Sequence, residues 1–428
     1  MLAVEKFDHA LEDRITKGIS ESIKLLLAAV LDTYQTLRDD KRILQQKFAS
    51  MTVGTKRGDN GDFSLIFENV PSGVTYDEEH ITRSQENRAN EVVRDVILAP
   101  FLPPNPTPEQ VSEFVYSVVH RSGILQVDPR VRAFSWGGHS KADMKEEVFE
   151  RQLGYFDGIR GMEIITGSGG GSMKAPFEGA MRGYIMQNLR DRRFIGFTEK
   201  GILEGEAPNN LLSDLLVFPD IEKRMEAFIR ASHRGRVHPG GTGTMEEAMT
   251  FLGMKIHPKN DELLYPFDLI ESPEGNYMRT LQNFLRECFG DALDGLLEFH
   301  IETPAEYHQH VLKTNKDLQI DRLWNHELHI PPEIQTPFEV TFNSMEALDL
   351  TRDQEPFLLI VNLRRFFSGM VHLIVKEPNL VKAWSGDRPK IRGDRKIIEA
   401  VDQLVRWFNK EKRLKIKHEF KDLPYRIE

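Results

Sequence analysis

Apolar residues recur every three or four positions through ISESIKLLLAAVLDTYQTLRDDKRILQQKF, the spacing of an amphipathic helix or helix pair. A polar, turn-rich stretch, KRGDNGDF, follows, and then a proline cluster, APFLPPNPTPEQ, from Ala99 to Gln110. The cluster punctuates the chain without demanding a domain boundary, because EQVSEFVYSVVHRSG beyond it has helical periodicity again. From about Val131 the texture changes to short apolar runs, VRAFSWGG, MEIITGSGGG, RFIGFTE, LLVFP and YPFDLIE, alternating with helical segments such as MKEEVFERQLGYFDGI and IEKRMEAFIRASH. Repetition of β then α predicts a parallel sheet covered by helices, an α/β fold. Several of these runs end in glycine, and ligands of such sheets bind beyond the carboxyl ends of the strands. After IPPEIQTPFEV a third region holds PFLLIVNLRRFFSGMVHLIV, helical at least in part, and the amphipathic DRKIIEAVDQLVRWF. The pattern divides the chain into a largely helical N-terminal domain (1–128), an α/β domain (129–335) and a small C-terminal domain (336–428).

Composition narrows the partners. Lys and Arg total 56 against 66 Asp and Glu, a formal charge of −10 with both signs mixed, so general affinity for a nucleic-acid backbone is not favoured. A local site for a small anion remains compatible with that balance. The basic end, KEKRLKIKHEFK, is either a solvated face or an anion or effector site. One cysteine, Cys288, excludes an intrachain disulfide framework and a Cys-based zinc cluster, and its ordinary role is a small core hydrophobe. The start, MLAVEKFDHALEDRITKG, is charged throughout and lacks a signal-peptide core, and no run approaches the roughly 18 apolar residues of a membrane span. The expectation is a cytoplasmic protein with neither a nucleic-acid nor a membrane partner.

Two glycine clusters carry the candidate chemistry. In TGSGGGSMKAPFEGA (Thr166 to Ala180), Gly169, Gly170 and Gly171 with Ser172 and Met173 follow an apolar run and precede a helix. Such a turn brings backbone close to a ligand and offers free helix N–H groups to an anion, although a plain strand-to-helix turn explains the same letters. In HPGGTGTMEE (His238 to Glu247), Gly240, Gly241 and Gly243 supply converging amides, Thr242 and Thr244 supply hydroxyls, and a helix is expected to start near Thr244. No lysine stands where a P-loop needs one, and the G-x-G-x-x-G order is absent, so a monophosphate fits better than a triphosphate or a dinucleotide. Glu246 reads as charge at the helix end. Glu247 has a chemical role if it faces the cleft, where a carboxylate beside a phosphosugar can activate water or stabilise positive charge.

With SWGGHS (Ser135 to Ser140, including Gly137 and Gly138), the Gly-Ser-Gly-Gly-Gly-Ser turn, PDIEKRMEAF and PGGTGTMEE in order, the chain resembles the Lonely Guy family of phosphoribohydrolases, often mislabelled lysine decarboxylases. Within it, the chain is most similar to the bacterial pyrimidine/purine nucleotide 5′-monophosphate nucleosidases. The similarity extends through QTPFEV, NLRRFFSG and VKEP, covers most of residues 130 to 428 and is thinner before them. The resemblance implies a Rossmann-like nucleotide-binding catalytic core between flanking domains. It implies Glu247 and Arg224 as the catalytic pair, with Gly137, Gly138 and both glycine clusters holding phosphate and ribose. The implied reaction is hydrolysis of the N-glycosidic bond of a nucleoside 5′-monophosphate, with no cofactor and no metal. A homo-oligomer, dimer or tetramer, is implied, as is a guanosine alarmone effector at Arg364, Arg365 and the basic end, for which a helix-surface role is the plain alternative.

Two rival readings remain at this level: a nucleotide-binding sensor without turnover, and a phosphoribohydrolase for modified, cytokinin-type adenine nucleotides. A pyridoxal-dependent decarboxylase finds no singled-out lysine. Several residues depart from the expected pattern. Arg234, Arg236 and His238 interrupt a strand that burial should make apolar. Lys174 stands where the resemblance leads one to expect an acidic residue, and Met225 where many relatives carry lysine.

Overall fold

The computed structural model describes residues 2–4, 21–32, 45–57, 63–72, 74, 83–97, 102–125, 130–138, 144–203, 208–261, 264–315, 318, 328–377, 379–384, 387–414 and 423–427. His139 and Ser140 of the SWGGHS motif and residues 415–421 of the basic end lie outside them.

Near the N-terminus, β1 (Leu2–Val4), β2 (Thr52–Arg57) and β3 (Phe63–Glu68) form an antiparallel sheet in the order β1-β3-β2, an element with no counterpart in the helical periodicity of this region. Seven further strands build the central sheet: β4 (Arg132–Trp136), β5 (Glu163–Thr166), β6 (Phe194–Glu199), β7 (Asp214–Phe218), β8 (Arg234–Val237), β9 (Phe267–Glu271) and β10 (Glu298–Ile301). Their order is β10-β9-β8-β4-β5-β6-β7, and the pairings β4/β8, β8/β9, β9/β10 and β6/β7 are all parallel. The chain winds outward from β4 to β7, returns to β8 beside β4 and winds out the other way, which gives the expected Rossmann-like α/β core. The reversal puts a crevice beyond the carboxyl ends of β4 and β8, where such sheets bind ligands. Short strands β11 (Asp349–Leu350), β12 (Lys390–Gly393) and β13 (Arg426–Ile427) make a third sheet.

The chain divides into two compact units of discontinuous segments, residues 1–126, 165–170 and 191–227 in the first and residues 127–164, 171–190 and 228–428 in the second. In the first, helix α1 (Glu21–Leu31) buries Leu25 through Leu31 without a polar face, so it is a core helix. Gln85, on α2 (Arg83–Val92), donates from Nε2 to the carbonyls of Leu31 (2.5 Å) and Val74 (2.9 Å). Helix α3 (Pro108–Arg121) opens with a capping box between Thr107 and Gln110, the physical reason the chain can enter a helix straight from the proline cluster.

In the second unit the helices α4 (Met144–Ile159) and α5 (Ala175–Met186) cross at glycines. A Cβ on Gly154, Gly158, Gly179 or Gly183 would overlap the backbone of the opposite helix, for example the Arg151 carbonyl oxygen at Gly179. Gly179→Ala is therefore expected to lose about 1–3 kcal/mol of unfolding free energy, read from a lowered urea midpoint, because backbone cannot yield as a side chain can. Gly235 of β8 similarly leaves room for the Phe134 ring. That ring stacks on Trp136 at 4.0 Å and meets Phe228 and Phe251 edge-on.

The polar strand is resolved by ion pairs. Arg236 makes a bidentate pair with Asp157 of α4 (2.5 and 2.8 Å), and its Nε donates to the Tyr307 hydroxyl at 3.0 Å. Arg234 is bound by Asp268 and Thr314. Both arginines are completely or almost completely buried, so β8 hides two ion-paired cations and presents neither as a site-lining charge.

Helix α7 (Thr242–Ile256) packs on α10 (Pro356–Val371), with Gly253 against Ile334 and Ile360. With its π-helical extension α10 runs Pro356–Lys376, long and apolar enough by length and composition to cross a membrane, yet 61% of its apolar window is buried within the protein and it carries Arg364 and Arg365. Helix α11 (Arg395–Lys410) buries Ile397, Val401, Leu404 and Phe408 along one stripe.

Candidate active site

The second glycine cluster occupies the switch point. His238 to Gly241 lead from β8 into α7, whose N-cap is Gly241 in an extended conformation (φ −117°, ψ −152°) with no side-chain cap. The N-cap therefore offers no side-chain acceptor to the first-turn amides. The helix begins at Thr242, two residues earlier than the sequence suggests, since Gly241 can be the extended N-cap and Met245 N already donates to its carbonyl at 3.1 Å. Glu246 and Glu247 consequently stand in the second turn, where the end charge has faded, so the helix-end role given to Glu246 does not hold. Glu246 is buried and Glu247 half-buried.

The loop after β4 meets this cluster directly. Gly138 N donates to the Pro239 carbonyl at 3.0 Å, and a Cβ on Gly138 would stand only 3.0 Å from Gly240 Cα. One on Gly240 would collide with the Thr244 hydroxyl, and one on Gly137 would lie 3.1 Å from His238 Cβ and 3.4 Å from Ser172 Cβ. Gly137, Gly138, Ser172, Gly240 and Thr244 thus share one small volume. Gly241 abuts the Arg413 carbonyl, again leaving no room for a Cβ, whereas one on Gly243 would make only an ordinary 3.8 Å contact with Val371. Thr242 is buried and Gly243 half-buried at the helix entry.

A further shell holds the cradle. The Gly240 amide faces the Tyr277 hydroxyl, and burial pushes that phenol up, so it stays neutral. Tyr277 opens α8 (Tyr277–Phe289), whose first amides are accepted by Glu271 (2.9 and 2.8 Å). Arg413 lies 5.1 Å over the Tyr277 ring and pairs with Glu146 at 2.6 Å. Residues just past α11 therefore support the glycine-walled loop, a role that charge in the basic end did not reveal.

The first glycine cluster is split between the two units. In the first, Ser168 takes a left-handed φ of 70°, and Asn209 Nδ2 donates to the Ser168 and Gly169 carbonyls (3.0 and 3.1 Å), while a Cβ on Gly170 would meet nothing within 4 Å. In the second, Gly171 (φ 54°) begins a 3₁₀ turn, Gly171–Met173, with Ser172 buried and Met173 half-buried. Lys174 turns to Glu178 at 3.5 Å, which accounts for that departure as a helix-surface pair.

Sequence reasoning missed Glu150. Its side chain, 1% exposed, sits on α4 beside His238 (4.0 Å from Nδ1) and 3.7 Å from where a Cβ on Gly137 would be, and neither carboxyl oxygen makes a well-formed hydrogen bond. Burial pushes this carboxyl well above its ordinary 4.5, an effect the Ser172 hydroxyl only partly offsets. The folded state therefore holds a proton that the unfolded chain releases above about pH 4.5. Stability from this group is present in full below that pH and is lost as pH rises toward the folded pKa, with a slope of up to about 1.4 kcal/mol per unit. Glu150→Gln should remove that slope, so urea midpoints of the two proteins should coincide near pH 4 and diverge in the variant's favour at pH 7 to 8.

His238 is buried and lowered to about 3, by burial first and Arg236 second, so it is neutral and structural. Arg224 lies on α6 (Ile221–Ala231) and is 4% exposed, so it is not a charge on a solvated helix face. Arg364 is buried, with Nη2 donating to the Thr336 carbonyl at 3.2 Å; Arg365 is half-buried.

Comparison with known proteins converges on the same region. Residues 173–294 match the family model described as "Possible lysine decarboxylase", and residues 308–428 match "Pyrimidine/purine nucleotide monophosphate nucleosidase, C-terminal". The pyrimidine/purine nucleotide 5′-monophosphate nucleosidase of Escherichia coli (strain K12) is 31% identical over 399 residues, spanning 89% of this chain and 87% of the relative. The chain belongs to the pyrimidine/purine nucleotide 5′-monophosphate nucleosidase family. The enzyme of the same name from Escherichia coli O157:H7 matches at the same identity and coverage. Among solved structures, the Moco carrier protein of Chlamydomonas reinhardtii (16% identity, TM-score 0.31) covers 44% of this chain and 99% of its own. The molybdenum cofactor binding protein of Rippkaea orientalis (14%, TM-score 0.31) covers 44% and 96%.

Proposed function

We propose that this protein hydrolyses the N-glycosidic bond of nucleoside 5′-monophosphates, releasing a free base and ribose 5-phosphate. The observation that carries this reading is the uncapped, glycine-walled entry to α7 with Glu247 one turn further on, in a chain of the nucleosidase family. The amides and hydroxyls from Gly240 to Thr244, with Gly137, Gly138 and Gly169 to Met173, hold phosphate and ribose. Cleavage sends the C1′–N electron pair to the base and leaves an oxocarbenium-like sugar, which the Glu247 carboxylate stabilises while it positions the attacking water and takes its proton. That proton then passes to the departing base, which leaves neutral and returns Glu247 to its carboxylate form. Arg224 is the second catalytic residue that the family resemblance implies, its guanidinium suited to orienting an anionic group by a charge-assisted hydrogen bond.

Arg234 and Arg236, whose place in a buried strand left room for a sensor without turnover, are paired with Asp268 and Asp157, and so lend that alternative no support. An alarmone effector remains part of the proposal, with Arg365 the better candidate contact because Arg364 is committed to a main-chain carbonyl. A homo-oligomer and a reducing, cytoplasmic setting, in keeping with the lone buried thiol of Cys288, complete the reading.

Selectivity tests the cradle. A nucleoside 5′-monophosphate should exceed the matching nucleoside in kcat/KM by about 10²-fold, the worth of one or two charge-assisted hydrogen bonds. Equal rates on both would remove the phosphate from the mechanism.

A further inference from the structure

Toward the amino ends of β9 and β10, on the edge of the sheet and away from the cradle beyond the carboxyl ends of β4 and β8, four side chains converge that the proposed reaction does not use. In the parallel pair β9/β10, Asp268 stands opposite Glu298, and His300 follows Glu298 by two residues, so both project from one face of the edge strand. Helix α9 (Pro304–Thr314), fixed at its start by a Thr303–Glu306 capping box, brings His310 to the same point. His300 Nε2 is 3.7 Å from both Asp268 Oδ1 and Glu298 Oε2, and His310 Nε2 is 3.0 Å from Glu298 Oε2. All four donor atoms lie within 4.8 Å of one another.

The surroundings orient these donors inward. His300 Nδ1 faces Glu302 Oε1 at 2.8 Å, the kind of contact that orients a ligating imidazole through its other nitrogen, and Nε2 is turned toward the cluster. Asp268 Oδ2 is occupied by Arg234 and by the Tyr307 hydroxyl (2.5 Å), whereas Oδ1, on a completely buried side chain, has no hydrogen-bond partner. Among the described residues, His300 Nε2 and His310 Nε2 likewise lack a well-formed hydrogen bond and face only the carboxylates of the cluster. In a tetrahedral zinc site with bonds of about 2.0–2.2 Å the ligand atoms stand about 3.4 Å apart, close to the 3.0 and 3.7 Å edges measured between these ligands.

We propose that Asp268, Glu298, His300 and His310 form a structural site for a divalent transition metal of the zinc class. Two imidazoles among four ligands favour zinc over magnesium or calcium, which prefer oxygen. With all four positions filled by protein, the ion staples the edge strand β10 and helix α9 to β9 and performs no chemistry on substrate.

The test uses the full chain, stripped with a chelator, desalted and titrated with zinc alone. One zinc per chain should be retained after desalting, with a raised thermal midpoint, and cobalt(II) in its place should give the visible absorption of a tetrahedral site. Glu298→Gln and His310→Gln, at half-exposed or exposed positions, should each weaken zinc binding by more than the 10- to 100-fold, in order of magnitude, expected for Glu302→Gln, which removes only the orienting partner. Cleavage of nucleotide by the folded variants should be unchanged. Failure of the wild-type chain to retain zinc, or equal retention by a folded His300→Gln/His310→Gln variant, would overturn the site and leave an ion-paired cluster of imidazoles and carboxylates.

Discussion

Glu247→Gln is expected to lower kcat for release of base from a nucleoside 5′-monophosphate by about 10²–10⁴-fold, the usual worth of a positioned general base. KM should change little, because the amide keeps the shape of the side chain and the phosphate cradle at Gly240 to Thr244 lies a turn away. The loss is specific to the charge: an oxocarbenium-like sugar gains nothing from a neutral amide, and glutamine cannot accept the proton of the attacking water. Steady-state kinetics with free base as the readout separate kcat from KM. A variant retaining full kcat would show that Glu247 does not act at the sugar, whatever the products.

Arg236→Met is expected to cost about 3–5 kcal/mol of unfolding free energy, the usual penalty for stranding one member of a buried ion pair. Arg236 is almost fully buried, and although burial works against its charge, Asp157 and then Tyr307 outweigh it, so the guanidinium is held firmly protonated. Removing it leaves the Asp157 carboxylate buried with His308, 3.5 Å away, in place of the bidentate guanidinium. The paired change Arg236→Met/Asp157→Leu should restore most of the loss, since neither charge is then left alone. Urea unfolding followed by far-UV circular dichroism measures both. A single-variant loss below about 1 kcal/mol would mean that the pair contributes no more than a surface bridge.

Much of the central sheet was legible because burial writes itself as apolar runs: RFIGFTE and LLVFP match strands β6 (FIGFTE) and β7 (DLLVF) to within one residue at each end. β8 reads poorly because its buried charges are satisfied by Asp157 and Asp268, distant in sequence and invisible to any local pattern. β10 was missed for the opposite reason, as an edge strand whose EFHI is only partly buried. Its alternation E-F-H-I-E did carry a signal, since Glu298, His300 and Glu302 fall on one strand face. The cradle was legible from its glycines, and the structure adds why Gly240 and Gly138 admit no Cβ. Glu150 was not: inside EEVFERQ it is one more helix charge, and only the fold brings it against Gly137 and Ser172.

In the proposed reaction water attacks the sugar carbon and not the phosphorus, and hydrolysis in ¹⁸O-labelled water reads this directly. Mass spectrometry of the products of a nucleoside 5′-monophosphate should find one labelled oxygen in ribose 5-phosphate, an equimolar amount of unlabelled base, and no labelled inorganic phosphate. Label in inorganic phosphate with the nucleoside left whole, or unchanged nucleotide after prolonged incubation with the folded protein, would contradict it.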